Sequence, residues 1–111
     1  MNTEQIVEKL RLEFRRGALP LAVLAELREE HYGYSLRKHL NSKNLEIDEG
    51  TLYPLIRRLE KQGLLVSEWR FDDKRKKRYY QISKLGDEVL TILTGEWRSL
   101  NASIDSILEG K

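Results

Sequence analysis

Cysteine is absent from the 111 residues. That removes disulfides, zinc–thiolate sites and thiol nucleophiles, and it fits a reducing, cytoplasmic setting. Histidine occurs only twice, as His31 and His39. The two share no metal-ligand spacing, so each reads as a surface or helix-end residue, and neither a metal nor a cofactor is expected. Gly-rich phosphate loops and a nucleophile elbow are missing, and Asp72 and Asp73 read as turn residues, so the sequence does not read as an enzyme. No segment approaches the ~18 apolar residues of a membrane span. The N-terminal "MNTEQIVEKL" has no apolar core of signal-peptide length, so no membrane partner and no export are expected. Repeats and low-complexity tracts are absent too.

What is there is enough for one domain with an added terminal helix. Hydrophobic residues make up 40% of the chain and charged residues 34%. The core this allows is small, so a second copy would add useful buried area. The formal net charge is only +2, but it is unevenly placed. "RFDDKRKKR" at 70–78 holds six cations and two anions, whereas the segment from Ser83 onward holds three cations and five anions. A concentrated basic strip on a near-neutral chain points to a local polyanion contact, and a solvated hairpin tip is the alternative.

Residues 3–15 form an amphipathic helix pattern with Thr3 as its cap and Ile6, Val7, Leu10 and Phe14 on one face. "RRG" at 15–17 should end or bend it. A second helix is expected over about 18–30, with Pro20 in its first turn and Leu21, Val23, Leu24 and Leu27 central to the core. "HYGY" breaks the chain, with Gly33 as hinge. A short helix over 34–42 turns Leu36 and Leu40 inward. Asp48 should cap a fourth helix that Gly63 ends. "LLVSEWR" (64–70) and "KRYYQIS" (77–83) read as strands of a hairpin joined by a polar loop. Ser83 then caps a last helix reaching about Leu108.

The stretch "EGTLYPLIRRLEKQG" at 49–63 carries the functional reading. Wrapped at 100° per residue, Leu52, Leu55, Ile56 and Leu59 make one buried stripe. Gly50, Pro54, Arg57 and Lys61 line up opposite, with Thr51, Tyr53 and Arg58 flanking. That outward row is small at its N-terminal end and cationic further on, as a helix entering a DNA major groove requires. If the helix proper starts near Thr51, Pro54 gives up an N–H that had no partner anyway. A core helix with a solvated cationic back fits the same pattern. The order helix, short helix, helix and hairpin favours a winged helix-turn-helix. The fold class expected is therefore mainly α with a small β-hairpin (α+β), divided as an N-terminal helix (1–16), a winged helix-turn-helix (17–82) and a C-terminal dimerisation helix (83–111).

"RRGALPLAVLAEL", "GYSLRKHL", "EGTLYPLIRRLEKQGLL" and "KKRYYQIS" closely resemble the PadR family of bacterial transcriptional regulators, in its smaller subgroup with a single C-terminal helix. The resemblance spans about residues 15–86. It implies a homodimer that represses transcription from a roughly palindromic operator in double-stranded DNA. In some members it also implies a small-molecule inducer site between subunits. It places Gly50, Thr51, Tyr53 and Pro54 in the DNA-facing motif, with Arg57 and Arg58 on the same helix. It places Tyr34, Ser35 and Lys38 on the helix crossing the backbone, and Lys74, Arg75, Lys76 and Lys77 in the wing. The wing departs from the family pattern, since its tip has no Gly or Pro and carries Asp72 and Asp73, which would repel phosphate. A winged-helix module gripping an acidic protein partner, without DNA, is the alternative function.

Val89, Leu93, Trp97, Leu100, Ile104 and Ile107 step by about 3.5 residues, the seam of a paired helix. With Ile6, Leu10 and Phe14 they are the expected dimerisation residues, against an intramolecular pairing of the first and last helices. Gly95 beside Trp97 would leave room for a flat aromatic ligand against Trp97 and Leu93; close helix contact at a core tryptophan is the alternative.

Overall fold

The structure, a computed structural model, describes residues 1–110. Its first element corrects the sequence reading. Helix α1 runs unbroken over Thr3–Glu26, through both the "RRG" stop and Pro20. Gly in mid-helix costs ~1 kcal/mol and an interior Pro ~3 kcal/mol. Against this, Leu19, Val23, Leu24 and Leu27 are all buried in the core, each worth ~1.5–3 kcal/mol. Tertiary packing therefore overrides both local breakers. The cap is Asn2 rather than Thr3: its side chain accepts the Gln5 N–H at 2.9 Å while Gln5 Oε1 accepts the Asn2 N–H at 3.0 Å, a reciprocal capping box.

A two-residue strand β1 (His31–Tyr32) follows, then α2 (Gly33–Ser42) and α3 (Glu49–Lys61). The connector between α2 and α3 is braced by Arg37, which donates to the Ile47 carbonyl at 3.0 Å and meets Glu49 at 3.2 Å. Gly63, at φ +82°, ends α3. There the Leu64 N–H reaches the Leu59 carbonyl and the Gly63 N–H reaches Glu60, a Schellman closure that needs the left-handed residue. Strands β2 (Leu65–Asp72) and β3 (Arg75–Ile82) form the hairpin, and α4 (Lys84–Leu108) completes the chain. The sheet is antiparallel in the order β1-β3-β2. The expected hairpin thus gains a third strand, which two residues were too few to announce by period.

One core joins these elements. Val23, Leu24 and Leu27 of α1 meet Leu36 and Leu40 of α2, the full stripe Leu52, Leu55, Ile56 and Leu59 of α3, Leu65 of β2 and Leu90 of α4. The molecule is elongated, 56 × 34 × 23 Å, because α1 and α4 extend past this core.

The join between α3, the hairpin and α4 is tight. Ser83 Oγ accepts the Gly86 N–H at 2.9 Å and donates to the Gly63 carbonyl at 2.6 Å. The Ser83 N–H reaches the Leu64 carbonyl at 2.9 Å. A Cβ on Gly86 would overlap the Leu64 carbonyl oxygen and lie 2.7 Å from Ile82 Cγ1. Backbone cannot yield as a side-chain tip can, so Gly86→Ala is expected to cost at least ~1–3 kcal/mol. Urea unfolding should show a lower midpoint with an unchanged slope.

Candidate nucleic-acid interface

Burying the apolar stripe of α3 decides what that helix shows. Gly50, Thr51, Pro54, Arg57, Arg58 and Lys61 are exposed. Arg57, Arg58 and Lys61 have no ion-pair partner among the described residues. Asp48 is the N-cap residue, but its carboxylate caps no backbone group by hydrogen bond. It accepts instead from the Thr51 hydroxyl at 2.7 Å, and this bond holds the carboxyl below its usual range. Pro54 lies inside the helix, one turn beyond its start at Glu49. It therefore deprives the Gly50 carbonyl of its i+4 donor, and the expectation that Pro54 replaces an orphan N–H does not hold.

Tyr53 is half-buried rather than outward. Its ring packs on the start of α2, where a Cβ on Gly33 would come within 2.7 Å of Tyr53 Cε1. Tyr53 and Arg57 line an open cleft of about 430 Å³ together with Tyr32, Tyr34, Trp69, Lys76, Arg78 and Tyr80. The helix and the wing thus share one aromatic, cationic groove. Tyr34 and Lys38 are exposed on α2, whereas Ser35 is half-buried. The Ser35 hydroxyl is engaged inward, donating to the Tyr32 carbonyl at 3.0 Å.

In the wing the polar loop expected over 71–76 is a two-residue turn. Asp72 pairs with Arg75 across it, and Asp73 and Lys74 have φ of +49° and +68°. These left-handed values match the right-handed twist of a hairpin, so no Gly or Pro is required at the tip. Strand alternation then separates the six cations of the basic strip. Arg70, Arg75 and Lys77 share one face. There Arg70 pairs with Glu30 and Glu68. Lys77 is 3.3 Å from Asp72 and lies over the Tyr32 ring at 4.3 Å. Asp72 also accepts from the Tyr79 hydroxyl at 3.2 Å. Lys77 and Tyr79 together hold its carboxyl below the usual range, so the charge of Asp72 is answered within the wing.

Lys76 and Arg78 lie on the other face, flanking the Trp69 ring at 5.3 and 5.6 Å. Arg78 donates to Glu60 of α3 at 2.9 Å and to Ser67 Oγ at 3.0 Å, and Ser67 in turn hydrogen-bonds Glu60. This clamp sets the hairpin against α3. Trp69, Phe71, Arg78 and Tyr80 were not singled out from sequence. The signal was present as strand alternation, but only the register shows which alternate faces α3. Lys74 and Arg75 remain without ion-pair partners among the described residues.

Of the expected dimerisation residues, Val89 and Leu93 are partly buried against the chain's own core. Ile6, Leu10, Phe14, Trp97, Leu100, Ile104 and Ile107 are all exposed, Trp97 by 43% and Phe14 by 76%. Gly95 has open space where a Cβ would stand. His31 and His39, expected as surface or helix-end residues, instead sit half-buried together with their rings 5.3 Å apart. Glu26 lies beside them, 2.7 Å from His39 Nδ1. Glu26 and His31 are five positions apart and His39 lies eight further on, so the three meet only because α1, β1 and α2 converge.

A lysine at φ +68° stores strain that glycine would not. Lys74→Gly, which makes an Asp-Gly turn, should raise stability by about 1 kcal/mol while removing a wing cation. Paired urea melts of the two proteins check this.

The geometry has counterparts. A crystal structure of a PadR family transcriptional regulator from Eggerthella lenta superposes with a TM-score of 0.92 at 42% identity, covering 97% of this chain and 96% of that one. The transcriptional regulator Rv3488 of Mycobacterium tuberculosis is 40% identical over 80 residues, 71% of this chain and 75% of that protein. An uncharacterized protein of Lysinibacillus sphaericus is 31% identical over 106 residues, 91% of this chain and 97% of its own length. No helix among the described residues is long and apolar enough to cross a membrane. The model of the transcriptional regulator PadR-like family matches residues 21–92. A winged helix with an exposed cationic face on α3 and a family match over most of its length make one conclusion: this chain belongs to the PadR-like family, transcriptional regulators rather than enzymes.

Proposed function

We propose that the chain is a homodimeric repressor that binds a palindromic operator, with α3 in the major groove and the hairpin on the flanking backbone. The observation that carries the reading is the segregation of cations. Those bearing on the fold are paired, while Arg57, Arg58, Lys61, Lys74 and Arg75 are left to solvent, and Arg57 shares its cleft with Lys76. In this reading 1–16 and 83–111 serve dimerisation around the winged helix at 17–82, and the protein works in the cytoplasm on the chromosome. Gly50, Thr51 and Pro54 approach the base edges. Tyr53 braces α3 on α2 and reaches the groove with its rim. Tyr34, Ser35 and Lys38 lie along the backbone, and Lys77, which lines the same cleft, supports the wing through Asp72.

The exposed apolar rows support the dimer. Ile6, Leu10 and Phe14 on α1 and Trp97, Leu100, Ile104 and Ile107 on α4 are large residues without cover. Each would gain ~1.5–3 kcal/mol on burial, and a second copy supplies the matching rows. A small aromatic inducer is accommodated beside Trp97 and Leu93, in the space Gly95 leaves.

A gel shift against the region upstream of the protein's own gene, with random duplex as competitor, tests the function; equal competition by random duplex refutes it. Arg57→Ala and Lys76→Ala should each lower the slope of log K against log salt by ~1. Ile104→Glu should yield a monomer by sedimentation and lose operator binding at concentrations where the parent dimer is saturated. Planar aromatic compounds should quench Trp97 and release the operator; quenching without release assigns the site no regulatory role.

A further inference from the structure

The cluster of Glu26, His31 and His39 is not used by any part of the DNA-binding reading, and it is built from three separate elements. Each residue offers one ligand atom, and these atoms all lie within 4.8 Å of one another. The tautomer of His31 follows from its neighbours. Ser35 has one hydroxyl proton, and it goes to the Tyr32 carbonyl. The 3.0 Å contact between Ser35 Oγ and His31 Nδ1 must then be donated by the imidazole. His31 Nε2 is left as a lone pair, buried and without a hydrogen-bond partner. His39 Nδ1 is also buried and without an aligned hydrogen bond, although Glu26 Oε2 is 2.7 Å away. Two imidazole nitrogens and a carboxylate oxygen thus converge where a positive centre is wanted.

We propose that Glu26 Oε2, His31 Nε2 and His39 Nδ1 form a binding site for a divalent cation of the zinc class. Two imidazoles and one carboxylate suit Zn²⁺, which takes N and O ligands at ~2.0–2.2 Å in tetrahedral array and tolerates water as the fourth. The outer partners are those such a site uses. His31 is oriented by Ser35, and the second carboxylate oxygen of Glu26 is held by Lys43 Nζ at 2.6 Å. Bound there, the ion ties the last turn of α1 to β1 and to α2, the helix that carries Tyr34 and Lys38. The site stands independently of whether the chain represses, dimerises or binds an inducer.

The chain has no cysteine and two histidines, so the tag-free protein offers no thiolate competitor and gives two imidazole spin systems. Zn²⁺ is titrated into the full chain by calorimetry and by ¹H–¹⁵N correlation of the ring nitrogens. One ion per chain is expected, with both rings responding, at Nε2 of His31 and Nδ1 of His39. His39→Gln and Glu26→Gln should lose this binding, and Ser35→Ala should weaken it by roughly 10–100-fold. Absence of binding, a response from one ring only, or unchanged affinity in His39→Gln overturns the proposal. The ring measurements on the parent protein decide the matter even if a substituted chain fails to fold.

Discussion

The burial of four residues on α3, Leu52, Leu55, Ile56 and Leu59, governs the polar surface of this protein. Each is at most 6% exposed, and they share one core with residues of α1 and α4. Once that stripe is seated, the rotation of α3 about its axis is settled, and Gly50, Pro54, Arg57 and Lys61 can only face outward. The proline withholds one backbone hydrogen bond from the helix. The stripe offsets that loss and keeps a rigid, small residue at the front of the exposed row.

Two populations of cation result. Arg37, Arg70, Lys77 and Arg78 are engaged with carboxylates, carbonyls or rings and orient the parts of the winged helix. Partly exposed pairs of this sort add little stability, typically ~0–1 kcal/mol each, so their value lies in geometry. Arg78 shows this, bridging Glu60 and Ser67 while lying near the faces of Trp69 and Tyr80. The other population, on α3 and at the wing tip, makes no such commitment. A charge without an internal partner is free to meet a phosphate without first giving up a contact.

The projecting halves of α1 and α4 are the counterpart of this economy in the core. They carry apolar side chains that the winged helix does not cover. Val89 and Leu93 sit low enough on α4 to pack at home, whereas the row from Trp97 onward does not. The change occurs at Gly95, from which point every residue of α4 is exposed.

Much was legible from period alone. The α3 stripe, the inward leucines of α2, the cap at Ser83 and the stop at Gly63 follow from spacing and backbone chemistry within a few residues, which is the range over which those effects act. The break expected at 15–17, with a new helix started around Pro20, failed because local propensity of a few kcal/mol was set against four buried side chains. The roles within "RFDDKRKKR" were not legible either, since composition counts six cations while the strand register decides which are spent. By itself, then, the sequence determined the helices' buried faces, the cap at Ser83, the hairpin and the family. Tertiary structure alone decided that α1 is continuous, that Tyr53 rests on Gly33, that Arg78 locks the wing to α3, and that two histidines and a glutamate meet. Each of these depends on contacts between residues distant along the chain or on a balance of packing against propensity, and neither quantity exists until the elements have docked.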